Sequence, residues 1–168
     1  NDIDGRIDMI IDGGECEIGL ESTIVKIEND GTLTLLRPGK ITVEELESIA
    51  SVKIADAVTD KLGENEVALS PGMKYRHYAP TVPLVLLEGE NDTVMKFLHN
   101  AQNAEKCAIL CYHEELYKLR AERVIDIGAE NDLQAQAQRL FAALRKVDEL
   151  DCDVVYAHLP PKDGIGLA

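Results

Sequence analysis

Lys74, Arg76 and His77, interleaved with Tyr75 and Tyr78, fall within Ser70-Pro-Gly-Met-Lys-Tyr-Arg-His-Tyr-Ala-Pro80, the densest set of anion-seeking groups in the chain. From Val67 to Leu87 there is no Asp or Glu, although acidic residues outnumber basic ones 31 to 17 overall. A cationic, aromatic segment free of carboxylates suits an anionic ligand such as a nucleotide phosphate. His77, flanked by Lys74 and Arg76, can donate to phosphate as they do. Pro71-Gly72 and Ala79-Pro80 hold the segment out of helix, because the residue before each proline is pushed from the helical region. A loop with this much specific chemistry points to function rather than packing.

A second set arises from a hairpin. Thr23–Glu28 and Thr32–Leu36 flank Asn29-Asp30-Gly31, a strong turn signal between two strand-like runs. Gly19-Leu-Glu-Ser-Thr23 leads in and Leu36-Arg-Pro-Gly39 leads out, so Ser22 and Arg37 are expected close together. Arg37 offers a fork of donors matched to phosphate or carboxylate. Taken alone, Ser22 could equally cap a turn and Arg37 could be a plain surface cation. Residues Gly31 to Val43 form another acid-free stretch, with Arg37 and Lys40 in it; a third, Leu133 to Val147, has the spacing of a helix with one core face.

The elements that must hold these groups read as follows. Ile7–Asp12 is a short apolar run before Gly13-Gly14 and is expected to be a strand. Thr42 and Glu45 form a capping box for a helix from about Val43 to Ala50. Residues 51–81 show little periodicity and are expected to be a linker that crosses a site. Thereafter strands near Val82–Leu87, Cys107–Cys111, Val124–Ile127 and Val154–Ala157 alternate with helices near Asp92–Asn103, Glu114–Arg120 and Leu133–Leu150. That alternation argues an α/β fold, a Rossmann-like or flavodoxin-like parallel sheet wrapped by helices.

Composition narrows the function. A formal net charge of −14 opposes tight binding to a nucleic-acid backbone, and 4% aromatic residues with no Trp make a poor stacking platform. No apolar run approaches a membrane span and no signal-peptide pattern opens the sequence, so a cytoplasmic protein is expected. The cysteines Cys16, Cys107, Cys111 and Cys152 are expected to be small buried thiols. Four strand steps would hold Cys107 and Cys111 about 13 Å apart, too far for one metal or one disulfide. His99, His113 and His158 are expected to face water or core, and Gly164-Ile-Gly166 is a weak dinucleotide signal. No metal cage, Ser-His-Asp order or Walker loop is visible. The residues alone thus support a nucleotide- or phosphate-binding loop between two α/β units, without naming a reaction.

Gly19-Leu-Glu-Ser-Thr-Ile-Val25, Leu36-Arg-Pro-Gly39 with Ile41-Thr42, and Lys74-Tyr-Arg-His-Tyr-Ala-Pro80 resemble the two-domain members of the YrdC/YwlC family, the L-threonylcarbamoyladenylate synthases. The resemblance implies that residues 1–52 are the last part of a YrdC-like catalytic domain, 53–81 an interdomain linker, and 82–168 a Rossmann-like accessory domain incomplete at its C-terminus. It implies an enzyme joining L-threonine, bicarbonate and ATP, with Mg2+ accompanying ATP, into threonylcarbamoyl-AMP and pyrophosphate. Separate transfer proteins would carry the threonylcarbamoyl group to tRNA. It further implies that Ser22 contacts threonine, that Arg37 binds the ATP phosphates, and that Tyr75, Arg76 and His77 close over the nucleotide. The family's N-terminal half, with its Lys-x-Arg and Ser-x-Asn motifs, has no counterpart in the chain. A fragment without turnover of its own is therefore expected, its partial catalytic segment thinly packed. The alternative is a nucleotide-binding regulatory or interaction module.

Overall fold

The computed structural model describes residues 5–14, 16–59 and 79–168, which form two sheets. The smaller runs β1-β2-β3. Strands β1 (Ile24–Ile27) and β2 (Leu33–Arg37) pair antiparallel across the expected turn. Gly31 there takes φ +86°, a conformation glycine adopts without penalty, and its N–H donates to Glu28 O at 3.0 Å. Val25 lies opposite Leu35 but Ile24 lies opposite Arg37, so Leu36 is the extra residue of a bulge. Bulges re-aim the residues beside them. This one sets Arg37 against Ile24 rather than Thr23.

Helix α1 (Val43–Glu47) starts as its sequence dictates. The Thr42 hydroxyl accepts from Glu45 N at 3.4 Å, while Glu45 Oε2 accepts from Thr42 N at 2.9 Å. Leu46 is the helix's buried side chain, and among the described residues it makes up, with Leu35 and Leu36, the buried apolar side chains of this unit. Strand β3 (Val52–Ile54) then pairs parallel to β2, with Leu33 opposite Val52 and Leu35 opposite Ile54, and α2 (Asp56–Thr59) follows. The segment expected to lack regular structure therefore opens with two short elements. Three residues carry too little pattern to be seen without their partner strand.

Ile7–Asp12 is not a strand. Met9 is 78% exposed and Ile11 91%, and no described strand pairs with the run. A strand needs a neighbour to satisfy its backbone, and an apolar composition alone does not supply one.

The larger sheet is wholly parallel, in the order β4-β7-β5-β6, from β4 (Leu84–Leu87), β5 (Cys107–Cys111), β6 (Val124–Asp126) and β7 (Val154–His158). Helices α3 (Asn91–Ala104) and α4 (Leu133–Asp148) carry the crossovers, and a 3-10 turn over His113–Lys118 follows β5. In the order 3-2-1-4-5-6 of dinucleotide-binding sheets the first strand neighbours the second. Here β7 separates β4 from β5.

Alternation along β5 divides the core. Cys107, Ile109 and Cys111 pack with Val94, Met95, Leu98 and Ala101 of α3; Ala108 and Leu110 pack with Ala143, Leu144 and Val147 of α4. The two helices thus cover opposite faces of the sheet. Asp132 caps α4 by accepting from Ala135 N at 2.9 Å. Asp148 at its other end accepts from the amide and hydroxyl of Thr81 at 2.8 and 2.9 Å, fixing the entry to β4. Among the described residues no helix is long and apolar enough to cross a membrane.

Three cysteines are buried in this unit, but Cys16 is exposed, unlike the expectation for it. Burial raises the Cys107 and Cys152 thiols, and it pushes Cys111 up to about 12 with help from the charges of Glu115 and Asp126. Since the thiolate is the reactive form, a thiol-reagent titration is expected to label Cys16 fast and Cys107, Cys111 and Cys152 only on unfolding. Fast labelling of all four would contradict this packing.

Candidate functional site

The mouth of the β1–β2 hairpin gathers the two residues singled out there. Arg37 donates from Nε to the Ser22 carbonyl at 2.9 Å and from Nη2 to Ser22 Oγ at 2.9 Å. Its Nη1 donates to Glu21 Oε2 at 2.6 Å, and the Arg37 side chain keeps 20% exposure. The rigid guanidinium fork thus meets three acceptors on two adjacent residues, one of them a backbone carbonyl, which the single ammonium of a lysine could not match. The serine hydroxyl and the guanidinium thus stand side by side at the rim of the small sheet.

Two contacts lock the strands that carry them. Thr23 Oγ1 donates to Ile41 O at 2.9 Å and accepts from Ile41 N at 3.1 Å, bridging residues 18 apart in sequence. Gly39 is buried against residues 21–23; a Cβ placed on it would lie 2.4 Å from Glu21 O and 2.5 Å from Thr23 N. Tight backbone approach of this kind admits glycine alone. Tyr75, Arg76 and His77 lie outside the described residues.

The site is not isolated from the larger sheet. Gln138 Nε2 on α4 donates to Cys16 O at 3.1 Å, and Gly19 runs against the carbonyls of Ala137 and Gln138. Glu44 of α1 accepts from Gly164 N at 3.3 Å; its own backbone N–H first, then the Thr42 side chain and the Gly164 amide, hold its carboxyl below the usual range.

A second polar cluster sits at the C-terminal ends of β5 and β7, and sequence reading missed it. Glu115 is 1% exposed, and its Oε2 lies 3.0 Å from His158 Nε2 while accepting from Tyr112 N at 3.2 Å. The Tyr112 and His158 rings stack with centroids 4.5 Å apart. Glu115 Oε1 is buried with no hydrogen-bond partner among the described residues. Beside it His113 Nδ1 lies 2.9 Å from Asp126 Oδ2, and Gly128 N donates to Asp126 Oδ1 at 2.7 Å. Burial pulls the Asp126 carboxyl upward, but His113, Gly128 and Arg139 together outweigh it and hold the group below its ordinary value. Of the histidines expected to face water or core, His158 faces the core and His113 water.

Glu21 was also missed as a partner of Arg37. Its signal was available, because it is the acid directly before Ser22 and faces a stretch that contains none.

The sequence profile of the family described as "Threonylcarbamoyl-AMP synthase, C-terminal domain" matches residues 41–168. A Bacillus subtilis threonylcarbamoyl-AMP synthase is 38% identical over 170 residues, covering 100% of this chain and 48% of its own length. A Pyrococcus abyssi threonylcarbamoyl-AMP synthase is 36% identical over 176 residues, covering 99% of this chain and 48% of its own length. The crystal structure of P. abyssi Sua5 complexed with L-threonine superposes with a TM-score of 0.80 at 34% identity, over 98% of this chain and 47% of that one. The chain therefore spans about half the length of the curated relatives it matches.

Proposed function

The chain belongs to the threonylcarbamoyl-AMP synthase family, and from that premise we propose that it is the C-terminal part of an enzyme joining L-threonine, bicarbonate and ATP into threonylcarbamoyl-AMP and pyrophosphate. The observation that carries the proposal is the direct bond between Ser22 Oγ and the Arg37 guanidinium at the hairpin mouth. A hydroxyl that can meet an amino acid and a cation that can meet a triphosphate are thereby held at adjacent positions. A relative of the same fold takes L-threonine. In the overall reaction a carbamate oxygen becomes bonded to the α-phosphorus and the α–β anhydride bond breaks. Arg37 would neutralise charge on the phosphates, where a preorganised donor contributes most. Tyr75, Arg76 and His77 would close over the nucleotide and exclude water from an adenylate that hydrolyses easily.

Residues 1–52 would complete a catalytic domain, 53–81 would link it, and 82–168 would form an accessory domain. By themselves the 168 residues are expected to show no turnover, since half of the relatives' length lies outside the match. Mg2+ would enter with the ATP phosphates, as it commonly does. The product would pass in the cytoplasm to proteins that modify tRNA. A charge of −14 suits an enzyme whose product is a small adenylate rather than one that grips RNA.

The test is pyrophosphate release by the full parent chain with ATP, bicarbonate and threonine. Release that depends on threonine is the expected result. Threonine-independent release, or none, would overturn the proposal, and tight ATP binding by the 168 residues alone would favour a nucleotide-sensing module.

A further inference from the structure

On the strength of the functional assignment above, we propose that Glu21 is a positioning residue, holding Arg37 against Ser22 and limiting how strongly that cation grips phosphate. A guanidinium has five N–H donors. Three are engaged, by Ser22 O, Ser22 Oγ and Glu21 Oε2, which leaves one on each Nη for a ligand. Nothing else among the described residues forms an ion pair with Arg37.

The geometry gives Glu21 two separable effects. Its oxygen fixes the plane of the guanidinium, and so fixes which donors point at Ser22 and which remain for the nucleotide. Its charge offsets that of Arg37, at 2.6 Å and with only 39% side-chain exposure, so a phosphate arriving at the free donors meets a partly neutralised cation. Phosphate and carboxylate compete for the same fork. A site that must release pyrophosphate each turn gains from a cation that is oriented but not fully available. Arg37 bonds both side chains, so a shift of the Glu21 carboxylate reaches, through the guanidinium, the Ser22 hydroxyl proposed for threonine.

Glu21→Gln and Glu21→Ala in the full parent chain separate orientation from charge. The glutamine variant keeps an acceptor for Nη1 and loses the charge. It is expected to lower the KM for ATP about 3- to 10-fold and to strengthen inhibition by added pyrophosphate by a similar factor, with the KM for threonine nearly unchanged. The alanine variant also loses the orientation, and its kcat/KM for threonine is expected to fall about 10- to 100-fold. Pyrophosphate inhibition unchanged within twofold in Glu21→Gln would overturn the proposal, as would equal loss of kcat in both variants without a shift in either KM. A merely structural carboxylate would produce that second pattern. Calorimetric titration of pyrophosphate into wild type and Glu21→Gln keeps the proposal falsifiable even where Glu21→Ala fails to fold. If Ser22→Ala and Arg37→Ala also leave threonine-dependent release untouched, the functional assignment fails with it; if they act and Glu21→Gln does not, the inference alone fails.

Discussion

Arg37→Ala in the full parent chain is expected to lower threonine-dependent pyrophosphate release by about 100-fold or more, the loss typical of a preorganised donor aimed at developing charge. The substitution removes the proposed phosphate contact and the two bonds that hold Ser22 by its carbonyl and hydroxyl. It also leaves the Glu21 carboxylate without its ion-pair partner where a triphosphate would arrive, so repulsion adds to the loss. Arg37→Lys is expected to recover little, because an ammonium cannot span two oxygens of Ser22 and one of Glu21 together. Steady-state rates at several threonine and ATP concentrations check this. A fall of less than threefold for the alanine variant would remove Arg37 from the site.

Glu115→Ala should have the largest effect on stability. It leaves His158, whose ring stacks on Tyr112, without its hydrogen-bond partner in the core. Leaving a buried hydrogen-bonding group without its partner typically costs about 1–3 kcal/mol. In a domain of this size that corresponds to a lowering of Tm by roughly 10 °C. Changing both partners to apolar residues, Glu115→Leu with His158→Leu, is expected to cost less than the single change, because the unpaired group, rather than the missing pair, is what destabilises. Denaturant unfolding of the three proteins decides it, and a double variant worse than Glu115→Ala would refute the account.

The elements that sequence reading located best are those specified by neighbours in the chain. The hairpin follows from Asn29-Asp30-Gly31, α1 from Thr42 with Glu45, and α4 from a sustained helical period. The closeness of Ser22 and Arg37 was legible for the same reason, since one tight turn separates them. Contacts between distant residues were not. β3 exists through its pairing with β2, Ile7–Asp12 has no such partner among the described residues, and the insertion of β7 between β4 and β5 leaves no trace in hydrophobic period. His158 and Glu115 stand 43 residues apart, so neither announces the other until the sheet places them together.

Gly39 shows which property of a residue the hairpin mouth selects. Its φ is not among the left-handed values in the chain, so backbone freedom is not what the position requires. It requires emptiness: the carbonyl of Glu21 already fills the space where even a methyl group would go. Substitutions there are therefore graded by volume and not by charge or hydrophobicity, and the smallest possible one is already too large. The spacing between the Ser22 hydroxyl and the Arg37 guanidinium is thus hard-wired, and any ligand bulkier than the mouth admits has to find its room elsewhere.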